Sequence, residues 1–373
     1  MLIWIYYHQA MRIAIATDAW KPQINGVVTT LERTRDQLED LGHDVLLLTP
    51  DERISLPMPT YPEVRLSLFA GRRIRRELDG YQPDAVHVAT EGPLGLAVRN
   101  YCVRRGLPFT TAYHTQFPEY VRKRFPMPMS VTSSVLRWFH AASTRTMVPT
   151  LSMRRTLEDR GFDNVVLWSR GVLTDVFTPD NPVRYDLPGP VWVYAGRVAV
   201  EKNIESFLSL NLPGSKVVIG DGPDRRRLAL RYPDAHFLGY RVGEDLARCL
   251  AGGDVFVFPS RTDTFGLVML EAMACGLPVA AFPVTGPIDV VRSGITGILD
   301  EDLSAACSRA LDINRHDCRQ FAERHSWRRA TEQFLSHLAA PDIGEKQEVE
   351  LTFGETVPNC PDQFDPGRAS QIR

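Results

Sequence analysis

Asp254-Val-Phe-Val-Phe-Pro-Ser-Arg-Thr-Asp-Thr-Phe-Gly-Leu-Val-Met-Leu-Glu-Ala-Met-Ala-Cys-Gly-Leu-Pro-Val279 reads as a buried strand, a loop, a helix and the start of a further strand. The run at 255–258 is short, apolar and flanked by turn residues, the pattern of a strand covered on both faces of a parallel sheet. Asp263 falls in the loop and Glu271 eight positions later inside the helix that Thr264-Phe-Gly266 opens. A helix start presents unpaired N–H groups and the positive end of the helix dipole, which together suit phosphate oxygens. A carboxylate repels phosphate but accepts well from hydroxyls. Two carboxylates flanking such a helix start therefore fit sugar on both sides of a diphosphate.

Outward from this stretch, strands and helices alternate. Strands are expected at Arg12 to Thr17, Asp44 to Thr49, Ala85 to Ala89, Phe109 to Tyr113 and Arg145 to Pro149, with helices at Val28 to Leu41, Leu94 to Arg104 and Leu151 to Asp159. The pattern restarts at Val191 to Ala195 and runs through Lys216 to Ile219, His236 to Leu238 and Val255 to Phe258 to Val279 to Phe282, with helices from Asn203, from Asp224, near Glu244 to Ala251 and after Gly266. Such alternation predicts two doubly wound α/β units. The join, Asp175 to Pro190, holds Pro179, Pro182, Pro188, Gly189 and Pro190, as an exposed linker does. The expected organisation is an extension over 1–10 ahead of a first strand starting at Met11, one unit over 11–175, a second over 176–315, a helical region over 316–339, and a disordered tail over 340–373, which is polar and has four prolines.

The 373 residues suit two domains, and a hydrophobic content of 44% with 24% charged residues is that of a globular chain with room for two cores. The net charge of −2 gives no global bias toward nucleic acid. The six cysteines show no C-x-x-C, which argues against a zinc site or disulfide framework and suits a reducing cytoplasm. No apolar run approaches about 18 residues, so no membrane-spanning helix is expected.

The signature stretch resembles the E-x7-E element of retaining GT-B glycosyltransferases, family 4, with Asp263 standing where the family has Glu. Gly196-Arg197 and Glu201-Lys202-Asn203, beyond the first strand of the second unit, resemble the family's G-R-x-x-x-x-K-N element. Gln23-Ile-Asn-Gly-Val-Val28 resembles its first loop, Tyr113-His-Thr-Gln116 its cleft histidine, and Ile219-Gly-Asp-Gly-Pro223 its strand-end turn. Together with Asp18-Ala-Trp20, Glu91-Gly-Pro-Leu-Gly95 resembles a subgroup containing bacterial α-mannosyltransferases and sulfolipid and glycolipid synthases.

The resemblance covers about residues 11–338 and implies two Rossmann-like parallel-sheet domains facing across a cleft, with a C-terminal helix crossing back onto the first. It implies transfer of a hexosyl group, with retention, from a nucleotide diphosphate sugar. Arg197 and Lys202 would neutralise the diphosphate, aided by the backbone at Gly266 and Leu267, and two cations beyond a parallel strand's carboxyl end suit that task on their own physical merits. Glu271 would accept from ribose hydroxyls, Asp263 from hydroxyls of the transferred sugar, and His114 and Gly26 would complete the site. Gly220 is either a turn or a point of approach to the nucleotide. Asp18 and Trp20 either line the acceptor site or pack, and Glu91 either binds acceptor or caps a helix. No nucleophile and no metal cluster is evident, so no cofactor or metal is expected.

Charge is uneven: residues 65–160 hold 16 basic and 7 acidic residues, about +9, and 340–373 hold 3 and 7, about −4. Arg72-Arg-Ile-Arg-Arg76 and Arg122-Lys-Arg124, the latter among Phe117, Phe125, Met127 and Met129, suit an anionic membrane surface. No nucleic-acid-binding module accompanies them. A lipid or lipid-linked acceptor at the inner face of the membrane is therefore favoured over a soluble sugar or polysaccharide. A sugar-nucleotide epimerase and a non-catalytic nucleotide-sugar-binding protein remain as alternatives.

Overall fold

The computed structural model describes the backbone of residues 10–21, 23, 25–50, 55–58, 61–67, 70–114 and 129–338, and the side chains of all of these except 55–58, 61–67 and 129–131. The expected extension, the tail and the Arg122–Arg124 cluster with its apolar neighbours lie outside the described residues or side chains.

The first sheet is six-stranded and parallel. Its strands are β1 (Arg12–Ala16), β2 (Asp44–Leu48), β5 (Ala85–Val88), β6 (Thr110–Ala112), β7 (Arg145–Val148) and β8 (Val165–Leu167), in the order β2-β1-β5-β6-β7-β8. An antiparallel pair, β3 (Ser55–Met58) and β4 (Tyr61–Ser67), stands apart from it. Helices α1 (Gly26–Asp40), α2 (Ala70–Tyr81), α3 (Pro93–Arg105), α4 (Met129–His140) and α5 (Leu151–Asp159) accompany these strands. The run Arg-Ile-Ala-Ile-Ala of β1 feeds two cores by its period of two: Ile13 and Ile15 join one cluster, Ala14 and Ala16 the other. That is why the strand reads as continuously apolar.

The second sheet repeats the design with β9 (Val191–Ala195), β10 (Ser215–Ile219), β11 (Ala235–Gly239), β12 (Val255–Phe258), β13 (Val279–Ala281) and β14 (Gly297–Leu299), ordered β11-β10-β9-β12-β13-β14 and wholly parallel. Its helices are α6 (Ile204–Leu208), α7 (Arg225–Arg231), α8 (Gly243–Ala251), α9 (Leu267–Ala274), α10 (Pro287–Val290), α11 (Leu303–Ala310) and α12 (Arg315–Glu323). Val191, Val193 and Ala195 face one core, Trp192 and Tyr194 the other. The sequence pattern does not announce β8 or β14, because three residues are too few for a period to show. The helix expected from Asn203 is present over Ile204–Leu208 with Asn203 at its N-cap position. A 3-10 turn at Val200–Lys202 comes first, and Asn203 adopts a left-handed conformation with φ 52°.

In both sheets the strand order reverses beside the first strand, between β1 and β5 and between β9 and β12. Loops beyond the carboxyl ends of such strands diverge and leave a crevice, the place where ligands bind in open α/β sheets.

The last helix, α13 (Trp327–His337), starts at a Ser326 cap and buries Phe334, Leu335 and Leu338 in the core of the first sheet with Ile13, Ile15 and Trp168. Phe334 is 0% exposed and its ring lies 4.8 Å from Trp168 and 4.9 Å from His87. Polar bonds tie the same helix down: Arg145 donates to Ser336 O (2.8 Å) and Ser169 N to Gln333 Oε1 (2.8 Å). Phe334→Ala is expected to lower unfolding stability by about 3–5 kcal/mol, read from urea denaturation followed by tryptophan fluorescence. A loss below about 1 kcal/mol, within the range of exposed positions, would show that this helix does not anchor the first core.

Candidate active site

The two loops flanking the reversal in the second sheet carry the predicted charges. Beyond β9 lie Arg197 and Lys202, and beyond β12 lies Asp263. Tyr194 donates its hydroxyl proton to Arg197 O (2.7 Å), and Asn203 Nδ2 donates to Pro259 O (3.0 Å), so the two loops are held to the sheet and to each other. Lys202 Nζ stands 2.5 Å from Asp263 Oδ1, with the two side chains 29% and 20% exposed. Asp263 thus reaches its neighbour despite being one methylene shorter than Glu. Burial alone would raise the Asp263 pKa, but the attraction of Lys202 and its hydrogen bond outweigh that, and the carboxyl sits below its ordinary range. The neighbouring Ser260 hydroxyl adds only a weak lowering. Asp263 Oδ2 is buried with no well-formed hydrogen bond, an acceptor left over from the pair.

Helix α9 begins beside this pair. Gly266 precedes it with φ 83°, and a Cβ there would stand 2.7 Å from Met269 Cε and 2.9 Å from Phe258 Cζ, so the turn admits glycine alone. No side chain caps the helix. Glu271, one turn in, has its pKa pushed up to about 7 by burial, with Arg33 of α1 pulling the other way. At neutral pH it is therefore poised between acid and carboxylate.

The first domain meets this surface at two points. Gly26, the first residue of α1, directs its missing side chain at Leu267, the first residue of α9: a Cβ would lie 3.6 Å from Leu267 Cδ1. Two helix N-termini therefore converge. Asn25 caps α1, accepting from Val27 N and Val28 N. The second point is His114, beyond β6, whose main-chain carbonyl accepts the Thr264 hydroxyl proton across the domains (2.8 Å). Its Nδ1 lies 3.1 Å from Arg170 Nη2, and its Nε2 is buried with no partner among the described residues. Burial, then Arg170 and His87, holds its pKa well below the ordinary value, so the imidazole is neutral. A further bond joins the domains, from Ser152 N of α5 to Asp289 Oδ1 of α10 (3.0 Å).

The structure thus brings Gly26, His114, Lys202, Asp263, Gly266, Leu267 and Glu271 to one crevice, with Arg197 in the loop beyond β9 at its edge. Four other expectations change. Asp18 is not an acceptor ligand. It is 6% exposed and accepts from Leu94 N (2.9 Å), Gly95 N (3.1 Å) and Thr90 Oγ1 (3.0 Å), which makes it the cap of α3. A Cβ at Gly92 would stand 2.3 Å from Asp18 Cγ, which explains Glu91-Gly-Pro-Leu-Gly95 as a socket for that cap. Gly220 is buried under the loop that carries Arg197: with φ 146°, a Cβ there would lie 1.9 Å from Gly196 O, so it supports that loop and offers no approach to a nucleotide. Trp20 packs half-buried against the first core. Glu91 does not cap α3. Its Oε1 lies 3.3 Å from Nε2 of the buried His140, whose Nδ1 lies 2.9 Å from Thr111 Oγ1. Thr264, Arg170 and His140 are the participants that sequence reasoning missed. Only Thr264 carried a signal, its place in the signature loop.

The family comparisons agree with this geometry. Residues 24–176 match the model described as Glycosyltransferase Family 4, and residues 189–313 the model described as Glycosyl transferases group 1. A GDP-mannose-dependent alpha-mannosyltransferase of Mycobacterium tuberculosis (strain CDC 1551 / Oshkosh) is 33% identical over 78% of this chain and 83% of its own. The chain belongs to glycosyltransferase family 4. An alpha-monoglucosyldiacylglycerol synthase of Streptococcus pneumoniae (strain ATCC BAA-255 / R6) is a more distant relative of this glycosyltransferase, 27% identical over 82% of this chain and 80% of its own. The sucrose-phosphate synthase structure from Thermosynechococcus elongatus superimposes with a TM-score of 0.70 at 19% identity, covering 87% of this chain and 97% of that one, which shows the shared GT-B fold.

Replacing Lys202 alone strands a largely buried carboxylate. Lys202→Met is therefore expected to destabilise the glycosyltransferase by about 2–3 kcal/mol, and Lys202→Met with Asp263→Asn to recover most of that loss. Urea midpoints of the two variants check it, and equal midpoints would mean that the pair does not hold the loops.

Proposed function

We propose that the protein moves a hexosyl group, with retention, from a nucleotide diphosphate sugar to a hydroxyl of a membrane lipid or lipid-linked acceptor. The observation that carries this reading is the meeting of the α1 and α9 starts beside Lys202, Asp263 and Glu271. The diphosphate lies at the α9 start, where uncapped N–H groups, Arg197 and Lys202 neutralise it. Glu271, inside α9, accepts from the ribose hydroxyls. The sugar lies on the other side, between Asp263 and His114. Lys202 has three N–H donors, so it can keep Asp263 and still reach a phosphate oxygen.

Departure and attack take place on one face of the sugar. The bond from the anomeric carbon to the phosphate oxygen breaks, the acceptor oxygen forms the new bond on the same face, and the acceptor proton passes to the departing phosphate. The nucleoside diphosphate leaves with the electron pair, and the cations stabilise its charge. No resident cofactor enters this scheme. Glu91, its carboxylate oriented by His140, is the residue of the first domain best suited to accept from an acceptor hydroxyl.

The lipid acceptor is supported by the name of one relative, an alpha-monoglucosyldiacylglycerol synthase, and by the surfaces of α2 and α4. Arg72, Arg75 and Arg76 are exposed on α2, and on α4 Val135 and Trp138 are each 55% exposed. Arg99 of α3 stacks on Trp138, 3.9 Å from the ring centre. A face with exposed basic residues on α2 and exposed apolar ones on α4 suits the inner, anionic side of a membrane. Among the described residues no helix is long and apolar enough to cross one.

The test is transfer from a panel of radiolabelled guanosine and uridine diphosphate sugars to anionic vesicles carrying diacylglycerol or glycolipid, against soluble saccharides. Label in the lipid phase is expected. Label in soluble saccharide only would overturn the acceptor reading, and donor cleavage without any acceptor product would overturn transfer.

Glu271 also predicts a pH dependence. Ribose hydroxyls favour the carboxylate over the acid, and burial puts its pKa at about 7. Affinity for a sugar nucleotide, which has no phosphate titrating in this range, is therefore expected to rise with pH and level off above about 8, with Kd increasing by up to about tenfold per unit below 7. Calorimetric titration of wild type and Glu271→Gln checks it: the variant binds more weakly at the high end and shows no step.

A further inference from the structure

Arg170 is 5% exposed, yet among the described residues no carboxylate pairs with it. Burying a cation without a counter-ion is costly unless every donor is used. Its Nη1 donates to Trp168 O (2.6 Å) and Ser169 O (3.0 Å), its guanidinium stacks on the Trp168 ring at 4.4 Å, and its Nη2 faces His114 Nδ1 at 3.1 Å. A guanidinium offers N–H groups and no acceptor, so His114 Nδ1 must be the acceptor in this bond. A neutral imidazole has one N–H, and with Nδ1 accepting, the proton resides on Nε2. That Nε2 is buried, with no hydrogen-bond partner among the described residues.

We propose that Arg170 is a positioning residue for the transfer: it holds His114 as the Nε2–H tautomer, a preformed donor for an oxygen of the donor sugar. Protonation of the ring would set an Nδ1–H against an Arg170 N–H, donor against donor and cation against cation, so the arrangement also keeps the ring neutral. The inference rests on the reading of His114 as a contact to the transferred sugar.

The placement of Arg170 gives the arrangement a second consequence. It lies in the segment joining the two sheets, where Ser169 N is bonded to α13 and Val172 N donates to His325 O (2.9 Å). The His114 ring is thus held by the segment that follows β8, while its main-chain carbonyl is held by Thr264 of the second domain. The donor is aligned when that segment and the second domain are both in place.

The test uses the full chain, without ligand, labelled with 15N in its histidine rings, with His114→Gln to assign the signal. Wild type is expected to show a protonated Nε2 and an unprotonated Nδ1 for His114, unchanged between about pH 6 and 8. Arg170→Met is expected to give mixed tautomers and to lower kcat/KM with the sugar nucleotide by about tenfold, while the Kd of the bare nucleoside diphosphate stays the same. Arg170→Lys, which keeps one donor, is expected to retain the tautomer and most of the activity. A wild-type signal with the proton on Nδ1 overturns the inference without any variant, so the test stands even if Arg170→Met does not fold. An unchanged tautomer in Arg170→Met overturns it too, as does an equal loss of nucleoside diphosphate binding, which a merely structural role would produce. Absence of transfer with the Nε2–H form intact overturns the proposed function instead.

Discussion

The packing of Phe334 against Trp168 and His87 is the contact on which the site depends. It brings the last helix of the chain back onto the first core, so the polypeptide passes between the sheets twice and their relative placement is constrained by two strands of chain. Trp168, held under Phe334, presents its ring to Arg170 and its carbonyl to the same guanidinium. Arg170 meets the His114 ring, and the His114 carbonyl meets Thr264, the neighbour of Asp263. A core contact far from any substrate thus orders the residues on both sides of the crevice. Interiors close-packed to this degree transmit displacement and do not absorb it.

Within the crevice, burial sets the charge states. The same low-polarity surroundings push Glu271 toward its acid form and His114 toward its neutral form, while Lys202 keeps Asp263 ionised. Three groups of different chemistry therefore face the space between the domains: a carboxylate paired to a cation, a carboxyl that titrates near neutrality, and a neutral ring. Each suits hydroxyl groups, and the cations and helix start suit phosphate. Segregation of this kind lets one crevice bind a polyhydroxyl and a polyanion end to end.

Much of this was legible in the chain. The strand, loop and helix around Asp263 and Glu271 are contiguous, and the Lys202 element sits on a neighbouring strand of the same sheet, so local pattern and topology sufficed. Asp18 shows where such reading fails. In sequence it is a polar residue after a first strand, equally suited to line a site, and only the arrival of Leu94 and Gly95, 76 and 77 positions later, makes it a cap. Gly220 fails likewise, because its need for glycine comes from the carbonyl of Gly196 and not from a ligand. Arg170 was silent because an arginine outside the expected strands and helices is ordinarily solvated, and nothing nearby in sequence announces a buried one.

The two parallel sheets, the family, and the residues that follow the carboxyl ends of the strands beside each reversal could be read from the order of amino acids, since all of these rest on short-range periodicity and on motifs whose members are close in the chain. Which of those residues share the crevice, which carboxylates are ionised there and which nitrogen of His114 accepts from Arg170 were settled by the folded chain. Those properties depend on burial and on partners brought together from distant parts of the chain, and neither is encoded in the spacing of residues along it.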